Sequence, residues 1–209
     1  MATRLAIFDF DGTLANTWPV FSRSLNTLAA RHGFREVHAD EVPRLRRLGA
    51  GEILRELQLP LWRVPAVLSD FRAIMQREVA QVASFAGLTD ALHTLADNHV
   101  ALALATSNSI ANVNAVLGAR LINRFAAIEC GSPLFGKPHR LRQILKRTQI
   151  PQHDAIYIGD EIRDAEAASR VGVRFGAVAW GYTDIEALIG QHPHAVFREP
   201  ADIAHLGRV

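Results

Sequence analysis

Short apolar runs recur along the chain, and each stops abruptly at small polar residues. Leu5–Phe8 runs into Asp9-Phe10-Asp11-Gly12-Thr13, Val100–Ala105 into Thr106-Ser107-Asn108-Ser109, and Ala155–Ile158 into Gly159-Asp160-Glu161. A brief continuous apolar run bounded by turn formers suits a strand buried on both faces. Weaker runs at Ala126–Ile128 and Phe175–Trp180 bring the expected strands to about five, and helical spacing appears near 89–98, 109–117, 139–148 and 162–171. Strand and helix in alternation predict an α/β fold, a parallel sheet with helices on both faces.

The alternation breaks between residues 17 and 84, where strand signals vanish. Apolar residues there recur at helical spacing, as in Ile53, Leu54, Leu57 and then Val67, Leu68, Phe71, Ile74 and Met75, with Gly33, Gly49-Ala50-Gly51 and Leu59-Pro60 as punctuation. The pattern predicts a helical insertion of about four helices at 17–84, set into a core made of 1–16 and 85–209. Asn16-Thr17 and Ser84-Phe85-Ala86-Gly87 are the expected hinges. Near the C-terminus, Thr183-Asp184-Ile185-Glu186 has the capping-box pattern and Gly190 is a stop, predicting one more short helix.

Composition narrows the function. The 209 residues are 49% hydrophobic, enough for a substantial core, and the formal charge of +2 supplies no broad basic field for nucleic acid or anionic lipid. A lone cysteine, Cys130, excludes an intrachain disulfide, and the start MATRLAIFDF lacks a signal-peptide pattern, so a cytoplasmic location is expected. The uncharged stretch from Val100 to Ala119 carries Thr106, Ser107, Asn108, Ser109, Asn112 and Asn114, which excludes a membrane span. Oligomeric state does not follow from these residues.

In open α/β sheets ligands bind beyond the carboxyl ends of the strands, so the polar residues ending each run should converge. Asp9 and Asp11 are two apart and point the same way on extended backbone, with Gly12 permitting a sharp turn. Asp160 and Asp164 share one face if Asp160 opens a helix. Acidic groups gathered at one sheet edge repel one another unless a cation is bound, and hard oxygen ligands select Mg²⁺ or a similar ion. Taken singly, each aspartate could instead cap a turn or a helix. Lys137 stands out because the chain has 21 arginines and only two lysines, the other being Lys146. The choice of lysine in an arginine-rich chain points to a place where a compact ammonium fits and the wider guanidinium does not.

Asp9-Phe10-Asp11-Gly12-Thr13-Leu14 after an apolar strand resembles the first signature of the haloacid dehalogenase-like superfamily of phosphohydrolases. Thr106 at the end of the second core strand, Gly136-Lys137-Pro138 and Gly159-Asp160-Glu161-Ile162-Arg163-Asp164 resemble its second, third and fourth signatures in order, and the insertion is similar to the family's helical cap. The resemblance implies a Rossmann-like core in which Asp9 is the nucleophile, Asp11 the general acid and base, and Thr106 and Lys137 the remaining catalytic groups. It implies Mg²⁺ held by the Asp9 carboxylate, the Asp11 backbone carbonyl and Asp160, with Asp164 as an outer ligand. Gly12, Thr13, Ser107, Asn108 and the insertion's Arg47 are the expected phosphate- and substrate-binding residues, and the implied partner is a small phosphorylated metabolite.

Among the superfamily's chemistries, dehalogenation is disfavoured by the second aspartate and by Asp160. A Schiff-base route through a cap lysine is closed, since 17–84 contains no lysine. The chain looks most like phosphoglycolate phosphatase and its relatives. A sugar phosphomutase, or an idle fold kept as a binding module, are the alternatives. Arg44, Arg46 and Arg47 cluster in the insertion and are candidates either for bidentate contact with a carboxylate or second anionic group of the substrate or for a charged helical face. His192 and His194 are candidates for a solvated loop, His139 for a surface position at a helix start, and Trp18, Trp62 and Trp180 for packing.

Overall fold

The computed structural model describes residues 3–131 and 136–206, and among these six strands form one parallel sheet. The strands are β1 (Leu5–Phe8), β2 (Ala101–Ala105), β3 (Phe125–Glu129), β4 (Ala155–Gly159), β5 (Arg174–Val178) and β6 (Ala195–Phe197), in the spatial order β3-β2-β1-β4-β5-β6. That order is Rossmann-like. β1 pairs with β2 on one side, Leu5 opposite Ala101, and with β4 on the other, Leu5 opposite Ala155. The direction of winding therefore reverses at β1 and β4, the crevice where ligands of such sheets bind.

Alternation within the buried strands feeds two separate apolar layers. Ala6, Phe8, Leu102, Leu104, Ile156 and Ile158 pack with Leu88, Leu92 and Leu95 of α5 (Leu88–Asp97) and Val113, Leu117 and Leu121 of α6 (Ile110–Ile122). Leu5, Ile7, Ala103, Ala105 and Tyr157 face α7 (Lys137–Thr148), α8 (Ile162–Val171) and Leu188 of α9 (Ile185–Ile189).

The structure departs from the sequence reading in instructive places. β6 is a sixth strand where about five were expected; at three residues it offers no run long enough to read. α6 continues past residue 117, kinked at Gly118, whose φ of +74° is open to glycine. α7 opens at Lys137 because Pro138, which has no N–H to lose, is tolerated in a first turn. In the last helix Asp184, one residue after Thr183, is the cap and accepts from the Glu186 N–H at 3.0 Å.

Between β1 and α5 lie α1 (Trp18–His32), α2 (Val42–Leu45), α3 (Ala50–Glu56) and α4 (Val64–Glu78), joined by 3₁₀ turns. They build a third apolar cluster around Leu28, Phe34, Leu45, Leu57 and Val64. The two connections to the sheet run side by side: Ala15 bridges Ser84 and the Asn16 N–H donates to the Ala83 carbonyl at 2.9 Å. Trp180 packs against the sheet layer as expected, whereas Trp62 is 73% exposed with the Arg63 guanidinium over its ring at 4.7 Å. Among the described residues no helix is long and apolar enough to cross a membrane.

Candidate active site

The ends of β1 and β4 bring three aspartates together. Carboxylate oxygens of Asp9, Asp160 and Asp164 all lie within 4.8 Å of one another, and all three side chains are buried. Lys137, at the start of α7, reaches into the group: its Nζ donates to Asp9 Oδ2 at 2.6 Å and also to Asp164 Oδ1. The Tyr157 hydroxyl donates to the same Asp164 oxygen at 3.1 Å, and Lys137 stands over the Tyr157 ring. One ammonium among three carboxylates leaves the group short of positive charge. Burial pushes the Asp9 carboxyl up to about 6 against the pull of Lys137. Burial, then repulsion from Asp164 and Asp9, pushes Asp160 up to about 7. An all-carboxylate set of hard oxygen donors that pays this electrostatic penalty fits a divalent cation.

Local backbone explains how Asp160 is held. α8 starts at Ile162 with Glu161 as its cap, so Asp160 sits in the link after β4 and does not itself open the helix. Its Oδ1 accepts from the Thr13 hydroxyl at 2.7 Å and its Oδ2 from the Tyr182 N–H at 2.8 Å. Gly12, at φ +75°, and Gly181 press on this side chain so closely that a Cβ at either position would overlap it. Thr13, expected to touch substrate, thus has its hydroxyl turned to Asp160. Asp164 Oδ2 accepts from the Glu161 N–H at 3.1 Å, which closes the first turn of α8 under the carboxylate cluster.

Asp11 looks elsewhere. Its carboxylate accepts from Asn108 Nδ2 at 2.9 Å, and burial raises its pKa above the ordinary range while that hydrogen bond opposes the rise. Asn108 is fixed in turn, its Oδ1 accepting from Asn112 Nδ2 and the Ser109 N–H, each at 2.8 Å. Thr106, wholly buried at the end of β2, accepts from the Asn108 N–H at 2.9 Å. Asp11, Ser107 and Asn108 form the polar end of a cavity of about 280 Å³ that extends into the helical insertion.

Not every expected residue reaches this place. Arg47 is exposed and lies 3.7 Å from Asp184, and Arg44 pairs with Glu56 on the surface. The neighbouring Arg46 lines the cavity instead, donating from Nε and Nη2 to the Tyr182 and Gly181 carbonyls, both at 2.8 Å. His139, His192 and His194 are exposed. Gly181, Tyr182 and Tyr157 escaped the sequence reading, which named Arg46 only as one of a cluster with Arg44 and Arg47. A Gly-Tyr pair just after a strand was the available signal for the first two.

The sequence pattern of haloacid dehalogenase-like hydrolases matches residues 6–178. The chain belongs to this family. Within these hydrolases it is 30% identical over 198 residues to the phosphoglycolate phosphatase of Synechococcus elongatus, covering 94% of this chain and 93% of that one. It is 31% identical over 192 residues to the phosphoglycolate phosphatase of Agrobacterium fabrum, covering 87% and 82%. Solved haloacid dehalogenase-like folds superpose over nearly the whole length. A family hydrolase from Streptococcus pneumoniae matches at TM-score 0.78 with 19% identity, covering 96% of each chain. CbbY of Rhodobacter sphaeroides, solved in complex with xylulose-(1,5)bisphosphate, matches at 0.72 with 24% identity, covering 97% and 96%.

Proposed function

We propose that the protein is a Mg²⁺-dependent phosphatase of small phosphomonoesters working through an aspartyl-phosphate on Asp9. The observation that carries this reading is the Asp9 carboxylate, held at 2.6 Å by Lys137 within the acidic cluster at the switch point of the sheet. Asp9 attacks phosphorus through a carboxylate oxygen while the bond to the leaving oxygen breaks, and Asp11, whose pKa burial raises above the ordinary carboxylate range, gives that oxygen its proton. Asp11 then takes a proton from the water that attacks the aspartyl-phosphate, releasing inorganic phosphate and restoring both carboxyl groups. Lys137 and the Thr106 hydroxyl stabilise the transferring group. Asp9, the Asp11 backbone carbonyl, Asp160 and Asp164 would hold Mg²⁺, which when bound neutralises charge on the phosphoryl oxygens.

Residues 17–84 act in this reading as a cap over a core of 1–16 and 85–209. The names of the relatives make phosphoglycolate the first compound to assay. Asp9→Asn, nearly isosteric, is expected to abolish phosphate release while leaving the circular dichroism spectrum unchanged, and excess chelator is expected to abolish wild-type turnover reversibly. Full activity of either sample would refute the mechanism. Inorganic phosphate appearing without isomerised sugar phosphate separates a phosphatase from a mutase.

A further inference from the structure

The cavity beside Asp11 has predominantly apolar walls. Polar groups at Asp11, Ser107 and Asn108 and the charged Arg46, Arg72, Glu161 and Arg163 reach it, but most of its lining is apolar side chains of the insertion, among them Phe21, Leu25, Leu54, Val67, Leu68 and Phe71. All six line the cavity and are only partly buried. A helical unit of this size ordinarily closes its core to crystal-like density. Here a hollow of about 280 Å³ remains between the insertion and the rim of the sheet. An apolar cavity of roughly 150 Å³ stays dry and accepts a benzene ring, so the space suffices for a ring or a short alkyl chain beside a phosphoryl group.

The charged residues on the wall are already engaged. Arg46 is turned to the Gly181 and Tyr182 carbonyls, Arg163 to Glu161, and Arg72 has its own partner within the protein. A second carboxylate or phosphate carried by the substrate would have to take one of these from its partner or lie desolvated against leucine and phenylalanine, which is costly.

We propose that this hollow receives the organic part of the substrate and that this part is apolar, an aryl or short alkyl phosphomonoester. The inference rests on the phosphomonoesterase reading above and names its substrate class. The phosphoryl group lies at the Asp11 end, and the leaving alcohol or phenol points into the insertion.

The test is a series of kcat/KM values for methyl, ethyl, butyl and phenyl phosphate and for phosphoglycolate, with wild-type protein and Mg²⁺. The expected result is a rise of about fourfold per added methylene, the fold-change equivalent to ~0.8 kcal/mol per buried CH₂, with phenyl phosphate preferred to phosphoglycolate. Val67→Phe, which fills the hollow, is expected to lower the butyl-to-methyl ratio at least severalfold. Its thermal unfolding is recorded alongside, and Leu25→Phe serves if that variant does not fold. A flat alkyl series, a preference for phosphoglycolate, or an unchanged ratio in the filled variant overturns the inference and leaves the phosphatase intact. No phosphate from any compound overturns the phosphatase reading and the inference with it.

Discussion

The sheet's rim and the helical insertion solve opposite problems. At the rim, charge is packed tightly: Asp9, Lys137, Asp160 and Asp164 are all at most 3% exposed, and Asp9 Oδ2 and both carboxylate oxygens of Asp160 and of Asp164 each meet a specific donor. In the insertion, ion pairs such as Arg44–Glu56 sit in solvent, and the interior is apolar and hollow. Buried charge tolerates little displacement, because an uncompensated ion in low dielectric is expensive. An apolar wall can change shape at the cost of a methylene or two. Chemistry is therefore rigidly specified at the rim, while the insertion is the region where substrate choice can vary.

The largest effect that sharpens this contrast comes from removing the ammonium. Lys137→Met leaves Asp9 and Asp164 without their shared partner, so stability at pH 8 should fall by about 3–5 kcal/mol and turnover should vanish. At acidic pH the loss should shrink, since protonation relieves the orphaned acids. Glu56→Gln, which breaks the exposed pair with Arg44, should leave the denaturant midpoint almost unmoved because water screens both groups. Equal losses in urea unfolding for the two variants would erase the distinction between the regions.

The next effect is a pH dependence set by the rim. Asp9 and Asp160 titrate near 6 and 7 in the folded protein, against 3.8 for an ordinary aspartate. Below about pH 4 they are protonated whether the chain is folded or not, and the folded state bears no penalty. As pH rises the unfolded chain ionises them first, so stability is lost progressively until the folded values are passed. In chelator the unfolding temperature should thus fall between pH 5 and 7.5, on the order of 2–4 °C for each kcal/mol lost. Millimolar Mg²⁺ should remove the slope, and Asp160→Asn should flatten it. In the insertion Glu41, held to about 2 by hydrogen bonds from Arg35 and the His38 N–H, titrates far below this window. An unfolding temperature that stays level or rises over that range in chelator would contradict the proposed origin.

The sequence exposed these two regions unequally. Asp9, Thr106 and Asp160 could be read because a strand end followed by small polar residues is a local pattern, and parallel winding sends all such ends to one edge. Lys137 could be read because lysine is rare in this arginine-rich chain. Tyr157 could not, since within Ala155-Ile156-Tyr157-Ile158 it looks like one more apolar position, and only the register beneath α8 brings its hydroxyl to Asp164. Gly181 and Tyr182 belong to a turn whose purpose appears only when it meets Asp160 across 21 and 22 positions of chain. The hollow was invisible for another reason. Leucines at helical spacing read the same whether they close on one another or on empty space.

The smallest effect tests where the two regions touch. Arg46, from the link after α2, donates to the Gly181 and Tyr182 carbonyls, and its own carbonyl accepts from the Asp184 N–H at 2.8 Å. The same short turn supplies the N–H that holds Asp160, while the Tyr182 hydroxyl shares a 2.7 Å hydrogen bond with Thr17 at the entrance to α1. The seat of the insertion is thus also the back wall of the acidic cluster. Arg46→Met keeps the aliphatic stem but deletes both donors, and should cost about 1–2 kcal/mol of stability. A merely structural role ends there. If the turn transmits the insertion's position to Asp160, the variant should also need several times more Mg²⁺ for half-maximal activity, and hydrogen exchange should quicken at residues 181–184. Arg46→Lys, a single point charge that cannot span two carbonyls, should recover only part of either change. A normal Mg²⁺ requirement in Arg46→Met would show that the insertion and the rim, though joined by these bonds, work independently.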